Sequence, residues 1–224
     1  MTRYFMRDTP LYQMEQLMMT PPHFRPRGHG LYISRPTRRF MDTDCRWCTE
    51  FERKSPCSLT QCICLEERIT AGSLDLTAFV QDCFCPYLSR KLQKRLQVHL
   101  EEHRLCFFTR DNHRKRWYHW RERYYRMTNR NKAALFLLTA YDDIWSRVIW
   151  HFDEYGFDFS SISLSGIQPE LYSVYQAAKA IAVGSRNITI DDLASPELVT
   201  DEAFQLIICA LLLAKYGDAI LNLE

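Results

Sequence analysis

Hydrophobic residues recur at helical spacing along most of the chain. Leucines stand every four residues between positions 88 and 100, which predicts an amphipathic helix over residues 88–103. Alternation typical of a strand is found in the short stretch FDFSSISL at residues 157–164. Further helices are predicted over residues 11–18, 65–72, 73–82, 113–127, 132–141, 144–155, 169–182 and 202–217.

These patterns predict a mainly α fold, a multi-helix domain with a small irregular Cys-rich zinc-binding module near the N-terminal side. Residues 1–44 are expected to hold a short helix and a Pro/Arg-rich arm, because 20–44 contains four prolines, two glycines and five arginines without helical periodicity. Residues 45–105 are predicted to form the Cys-rich zinc module with the helices that follow it. Residues 106–224 are predicted to form a helical domain.

Five of the nine cysteines fall within twenty residues. Closely spaced cysteines aim thiolates at one point, which suits tetrahedral zinc. Thiolates would fill every position of such a site, so the zinc is expected to be structural. An iron–sulfur cluster and unligated buried cysteines are the alternatives, and Cys83 and Cys85 can replace a member of the set or form part of a second site. The predicted ligands, five candidates for four places, are Cys45, Cys48, Cys57, Cys62 and Cys64.

The net charge of +2 hides a strong asymmetry along the chain. Residues 1–89 carry a net charge of +1, residues 90–132 a net charge of +10 and residues 133–224 a net charge of −9. The basic segment predicts a surface for an anionic partner such as nucleic acid. The alternative is that the basic and acidic segments pack together and partly neutralise each other.

The basic segment interleaves cations with aromatic residues on one predicted helix, HRKRWYHWRERYYRM. Arginine binds phosphate groups and aromatic faces stack on bases, so this pattern is typical of a nucleic-acid-binding helix. The alternative is a core helix with buried aromatics and arginines paired to the acidic segment. The predicted binding residues are Arg114, Lys115, Arg116, Trp117, Trp120, Arg121 and Arg123, with Arg38 and Arg39 from the arm.

A second motif, His99-Leu-Glu-Glu-His103, matches the H-x-x-E-H pattern of zinc proteases, in which the glutamate (here Glu102) activates water. No third ligand is evident, and a solvated helix face accounts for the same residues. The sequence also contains no Gly-rich phosphate loop and no nucleophile elbow, so it makes no positive case for an enzyme.

The N-terminal residues contain no apolar h-region, and the apolar run at 206–214 is shorter than the roughly 18–20 residues that span a bilayer. We interpret this run as a buried core helix. The expected location is the cytoplasm, without a membrane.

The chain resembles uncharacterised cysteine-rich proteins of plasmids and integrative elements of gut Firmicutes in the stretch SPCSLTQCICLEERITAG and, upstream, in PPHFRPRGHG and CRWC. It is also similar to a helical domain of unknown function in such elements, in CFFTRDNHRKRW and ALFLLTAYDDIWSRV. The resemblance implies a mobile-element accessory protein, a setting in which proteins bind DNA, regulate transfer or disable host defences.

The function expected from the residues and the resemblance together is non-enzymatic binding of nucleic acid or a nucleoprotein complex through basic surfaces, with zinc in a structural role. The alternative is an anti-defence inhibitor, anti-CRISPR or anti-restriction, that docks on a host nuclease. A zinc hydrolase that uses His99, Glu102 and His103 is a third possibility.

Overall fold

The computed structural model describes residues 8–14 and 58–223, and this part of the chain is mainly helical, as predicted. The chain divides into two compact units, Met1–Thr37 and Arg38–Glu224. In the first unit, the described residues form a turn that enters a helix at Tyr12. In the second, the helices in chain order are α1 (Leu65–Thr70), α2 (Leu76–Phe79), α3 (Arg90–Glu102), α4 (Asp111–Arg123), α5 (Asn129–Leu138), α6 (Asp142–Val148), α7 (Pro169–Val183), α8 (Ile190–Ala194) and α9 (Asp201–Tyr216).

Side-chain caps fix where several helices begin. The hydroxyl groups of Ser89, Thr128 and Thr200 accept hydrogen bonds from backbone N–H groups in the first turns of α3, α5 and α9. Thr189 forms a capping box with Asp192 at the start of α8. Helix α7 has proline at its first position, as predicted, and ends at Gly184, whose φ of 73° suits a helix terminus.

Helices α5, α7 and α9 pack against one another at the centre of the second unit. Every residue of α5 from Ala133 to Leu138 is buried, and so is every residue of α9 from Ala203 to Ala210. The stretch Asp201–Leu223 is long and apolar enough to cross a membrane by length and composition, but 56% of its most apolar window is buried inside the protein. That burial is expected of a core helix, which is how we interpreted residues 206–214.

A short β-hairpin replaces the end of the helix that we predicted over residues 144–155. Helix α6 ends at Val148, a 3₁₀ turn follows, and β1 (Phe152–Asp153) pairs antiparallel with β2 (Gly156–Phe157). Gly156 has a φ of 124°, and a Cβ there would lie 2.6 Å from Nδ2 of Asn131. The turn therefore needs glycine. The predicted strand over 157–164 is reduced to its first residue, because Asp158 binds Ser160 and Ser161 and turns the chain.

The segment before α4 packs on the acidic part of the chain. Helix α3 confirms the predicted helix over 88–103, and it lies against α8. Buried Arg95 of α3 donates hydrogen bonds to the carbonyl oxygens of Leu193 (2.8 Å) and Val199 (2.6 Å) and to the carboxylate of Asp201 (2.9 Å). The boundaries that we predicted at 44/45 and 105/106 stay predictions.

Candidate nucleic-acid interface

The basic aromatic helix is α4, and its aromatic side turns into the core. Trp117 is fully buried, and its indole N–H donates to the carbonyl oxygen of Lys132 at 3.2 Å. One turn earlier, buried His113 is hydrogen-bonded through Nε2 to the carbonyl oxygen of Phe136 at 2.8 Å. Burial lowers the pKa of His113 to about 4, so the ring is neutral at physiological pH. Trp117 therefore belongs to the core rather than to the binding surface on which we had placed it.

Trp120 is half-buried in an aromatic cluster that includes Phe152 of the hairpin. Its ring lies 5.5 Å from that of Trp145, 5.9 Å from that of Phe152 and 6.1 Å from that of Tyr124, measured between centroids. Such edge-on and offset contacts hold the rings in fixed orientations. Trp120 thus anchors the hairpin to the C-terminal half of α4, and little of its face is left for a base.

Ion pairs tie the basic segment to the acidic segment. Every ion pair between described residues joins a cation of residues 90–132 to a carboxylate of residues 133–223. The two segments therefore neutralise each other in part, which is the alternative that the charge distribution had left open. The pairs are Lys91–Asp191, Arg95–Asp201, Arg110–Glu202, Arg116–Asp142, Arg121–Asp218 and Lys132–Asp218.

Asp218 forms two of these ion pairs, one with Arg121 and one with Lys132. It follows α9 in a 3₁₀ turn that Gly217 opens with a φ of 68°. Its Oδ2 accepts hydrogen bonds from Nε and Nη2 of Arg121 (3.0 and 2.6 Å) and from Nζ of Lys132 (2.8 Å). Arg121 and Arg116, which is bound to Asp142 and to the carbonyl oxygen of Thr139, are therefore committed to internal contacts.

Other cations of the basic segment face solvent without an ion pair to any described residue. Some rest on aromatic rings. The guanidinium of Arg114 lies 5.8 Å from the ring centroid of Phe108, and that of Arg123 lies 5.3 Å from the ring centroid of Trp120. These contacts orient the guanidinium groups without cancelling their charge. The exposed cations along α4 and into α5, which we call the basic ridge, are Arg114, Lys115, Arg123, Arg126 and Arg130.

The basic ridge keeps three residues of the predicted binding set and adds two that were not in it. Arg114, Lys115 and Arg123 were predicted, whereas Arg126 and Arg130 were not. Arg126 belongs to the helix predicted over residues 113–127, and Arg130 follows it closely in the sequence. The sequence does not show which other arginines are removed from the surface by ion pairs. Arg38 and Arg39, the arm residues of the predicted set, lie outside the described residues.

The predicted zinc ligands fall only partly within the described residues. Cys45, Cys48 and Cys57 lie outside them, and Cys62 and Cys64 are half-buried at the start of α1. Arg68 Nη1 approaches the sulfur of Cys62 at 3.9 Å. No group of three potential metal ligands is formed by the described residues alone. The zinc site therefore stays a prediction.

The turn that carries Cys83 packs on the turn that precedes Cys62. The 3₁₀ turn Leu59–Gln61 packs on the π-helical turn Val80–Phe84, which carries Cys83. Burial raises the pKa of the Cys83 thiol, and the charge of Asp82 raises it further. The fold thus brings Cys83 close to a predicted ligand, as its spacing in the sequence had left open.

The H-x-x-E-H motif occupies the last turns of α3 without forming a metal centre in the described residues. Buried His99 is hydrogen-bonded through Nε2 to Oε1 of Gln205 at 3.2 Å, and its ring stacks on that of His103 with centroids 4.9 Å apart. Nε2 of Gln205 donates to the carbonyl oxygen of Cys106, which fixes the orientation of the amide. His99 Nε2 is therefore the donor and has no lone pair to offer a metal.

No known protein family, curated protein sequence or solved structure was found to match the chain.

Proposed function

We propose that the protein is a non-enzymatic, mobile-element accessory protein that binds nucleic acid or a nucleoprotein complex through the basic ridge. The observation that supports the proposal is that some cations of the basic segment are paired with carboxylates and others are not. Arg110, Arg116 and Arg121 are paired with carboxylates, whereas the cations of the basic ridge are exposed and have no ion pair with a described residue.

Several exposed cations on one helix and the turn after it suit a polyanion, because each phosphate contact releases condensed counterions. The basic ridge follows α4 from Arg114 to Arg123 and continues past its C-terminus through Arg126 to Arg130 at the start of α5. Helix α4 rises about 1.5 Å per residue, so the nine residues from Arg114 to Arg123 extend about 14 Å along its axis.

The direct test is a titration of fluorescein-labelled DNA and RNA oligonucleotides, read by fluorescence anisotropy at 50 mM salt. Arg126→Gln with Arg130→Gln should weaken binding at least tenfold, because each change removes a phosphate contact. The control is Arg110→Gln, which removes one exposed positive charge from the same segment, a charge that is already paired with Glu202 at 2.6 Å; it is compared with Arg126→Gln and Arg130→Gln taken singly. Absence of binding at 50 mM salt would refute the proposal.

We also propose that zinc, bound by four of the predicted cysteines, has a structural role, and that the protein acts in the cytoplasm. Clustered thiols persist in a reducing compartment, and a metal would stabilise a segment that has few apolar residues of its own.

A second candidate is an inhibitor that docks on a host nuclease, and an acidic groove between α7, α8 and the start of α9 favours it. The groove has a volume of about 370 Å³ and contains the carboxylates of Glu170, Asp192 and Glu197 beside the apolar side chain of Leu198, which is 57% exposed. A basic protein surface would complement it. Pull-down from a host lysate that has been treated with nuclease separates direct protein binding from binding through nucleic acid.

A further inference from the structure

The most exposed large apolar side chains among the described residues are all aromatic. Trp150 is 85% exposed, Tyr155 is 82% exposed and Tyr125 is 71% exposed. Removing such side chains from water is favourable, and the fold leaves them outside although it buries many of the other described aromatic side chains. Exposed aromatic groups of this size mark a binding surface when they lie together.

Contacts between three segments bring together the parts of the chain that carry these side chains. Tyr124 and Phe152 contact each other edge to face with ring centroids 5.0 Å apart, which joins the end of α4 to the hairpin. Nδ2 of Asn131 donates to the carbonyl oxygen of Tyr155 at 2.8 Å, which joins the hairpin to α5.

Each exposed aromatic is close in sequence to one of these contacts. Tyr125 follows Tyr124, and Trp150 precedes Phe152 by two residues, a separation of at most about 7 Å between Cα atoms. Tyr155 carries the carbonyl oxygen that Asn131 binds. The backbone of all three residues is thus fixed to the same junction, which we call the aromatic platform.

The aromatic platform lies where the basic ridge ends. Arg126 rests on the ring of Tyr125, with its guanidinium carbon 5.4 Å from the centroid, and Arg130 precedes Asn131 in α5. Carboxylates are also present, Glu122 on α4 and Asp153 and Glu154 in the hairpin turn. The charge around the aromatic residues is therefore mixed, and the surplus of cations lies along the ridge.

The basic ridge and the aromatic platform contribute to binding in different ways. The basic ridge can bind phosphates of any nucleic acid, whereas aromatic rings add affinity only where base faces are open to them. In a duplex the base faces are covered by the neighbouring base pairs, but in a single strand they are free. We infer that the protein prefers single-stranded nucleic acid, an inference that rests on the proposed nucleic-acid binding. The bases of the single strand stack on Trp150, Tyr155 and Tyr125, and its phosphates bind the cations of the basic ridge.

The test compares a labelled 20-nucleotide oligo(dT) with a 20-base-pair duplex at 50 mM salt. Wild-type protein should bind the single strand at least tenfold more tightly. Trp150→Ala and Tyr155→Ala should each weaken single-strand binding about tenfold, or roughly 1.4 kcal/mol, and leave duplex binding unchanged. Trp150→Phe, which keeps an aromatic face, should restore most of the affinity.

Tyr172→Ala is the matched control, because Tyr172 is also exposed (48%) but lies on α7 beside the acidic groove. Equal affinity for both oligonucleotides, with no effect of Trp150→Ala, would overturn the single-strand preference and leave nucleic-acid binding standing. No binding of either oligonucleotide would overturn both. Concentration-dependent self-association that Trp150→Ala abolishes would instead identify the aromatic platform as an interface between copies of the chain, and would also overturn the inference.

Discussion

Replacing Asp218 by asparagine should destabilise the protein, because this carboxylate neutralises two cations of the basic segment. All three of its hydrogen bonds, two from Arg121 and one from Lys132, reach Oδ2, while Oδ1 is buried without a hydrogen-bond partner among the described residues. Asp218→Asn keeps the shape of the side chain but removes its charge. Two partly buried cations would then face each other across a neutral amide.

The size of the effect follows from how far water reaches the pairs. Removing one partner of a fully buried ion pair costs about 3–5 kcal/mol. The side chains of Lys132, Asp218 and Arg121 are 15%, 21% and 34% exposed, so solvent screens part of the interaction. We therefore expect Asp218→Asn to lower the free energy of unfolding by about 2 kcal/mol. For a domain of this size that is a fall in Tm of about 4–8 °C.

Urea unfolding followed by circular dichroism measures this free energy. The control is Glu101→Gln, which removes an exposed carboxylate that has no ion pair with a described residue and should change stability by less than about 0.5 kcal/mol. In the double variant with Arg121→Gln, the loss should be smaller than the sum of the single losses, since each removes part of the same interaction. If Asp218→Asn and Glu101→Gln had equal effects, the stabilising role of the Asp218 pairs would be refuted.

Three further predictions concern the core and the metal. Arg95→Met should lower the free energy of unfolding by about 2 kcal/mol in urea unfolding, because it leaves the carbonyl oxygens of Leu193 and Val199 without their donor; no loss would contradict the role of this contact. Burial holds the pKa of His113 at about 4, below the value of about 6.5 in an unfolded chain, so the unfolded state takes up the proton first and stability falls as the pH drops from 6.5 towards 4. The loss should approach about 1.4 kcal/mol per pH unit within this window, and His113→Gln should reduce the slope; an unchanged slope would contradict the assignment. Metal analysis of the purified protein should find roughly one zinc ion per chain and none in a variant with Cys45→Ser and Cys48→Ser; iron in its place would favour the cluster.

Helical periodicity was sufficient to locate most of the fold. The leucine spacing that predicts a helix over 88–103 corresponds to α3, and the proline and glycine that bound α7 lie where the sequence placed them. The hairpin was missed because Val148, Phe152 and Tyr155 continue an apparent helical pattern. Tertiary contacts, among them the bond from Asn131 to the backbone of Tyr155, decide against a helix there.

The candidate site was harder to predict because its composition depends on contacts far apart in sequence. Arg121 and Asp218 are 97 residues apart, and nothing local distinguishes Arg121 from the exposed Arg123. Likewise, the spacing of Trp117 and Trp120 puts them on one side of a helix but does not say whether that side faces water. Only packing against α5 and the hairpin shows that Trp117 is buried while Trp150 and Tyr155 are exposed.

The salt dependence of oligonucleotide binding tests the central claim most directly, because it counts the phosphates that the protein neutralises. Five cations on the basic ridge predict a slope of about −3.5 for log K against log salt concentration with a single strand. Arg126→Gln with Arg130→Gln should reduce the slope to about −2, and Arg110→Gln should leave it unchanged. A slope near zero, or an equal change from Arg110→Gln and from each ridge substitution, would contradict the claim that unpaired cations form the binding surface.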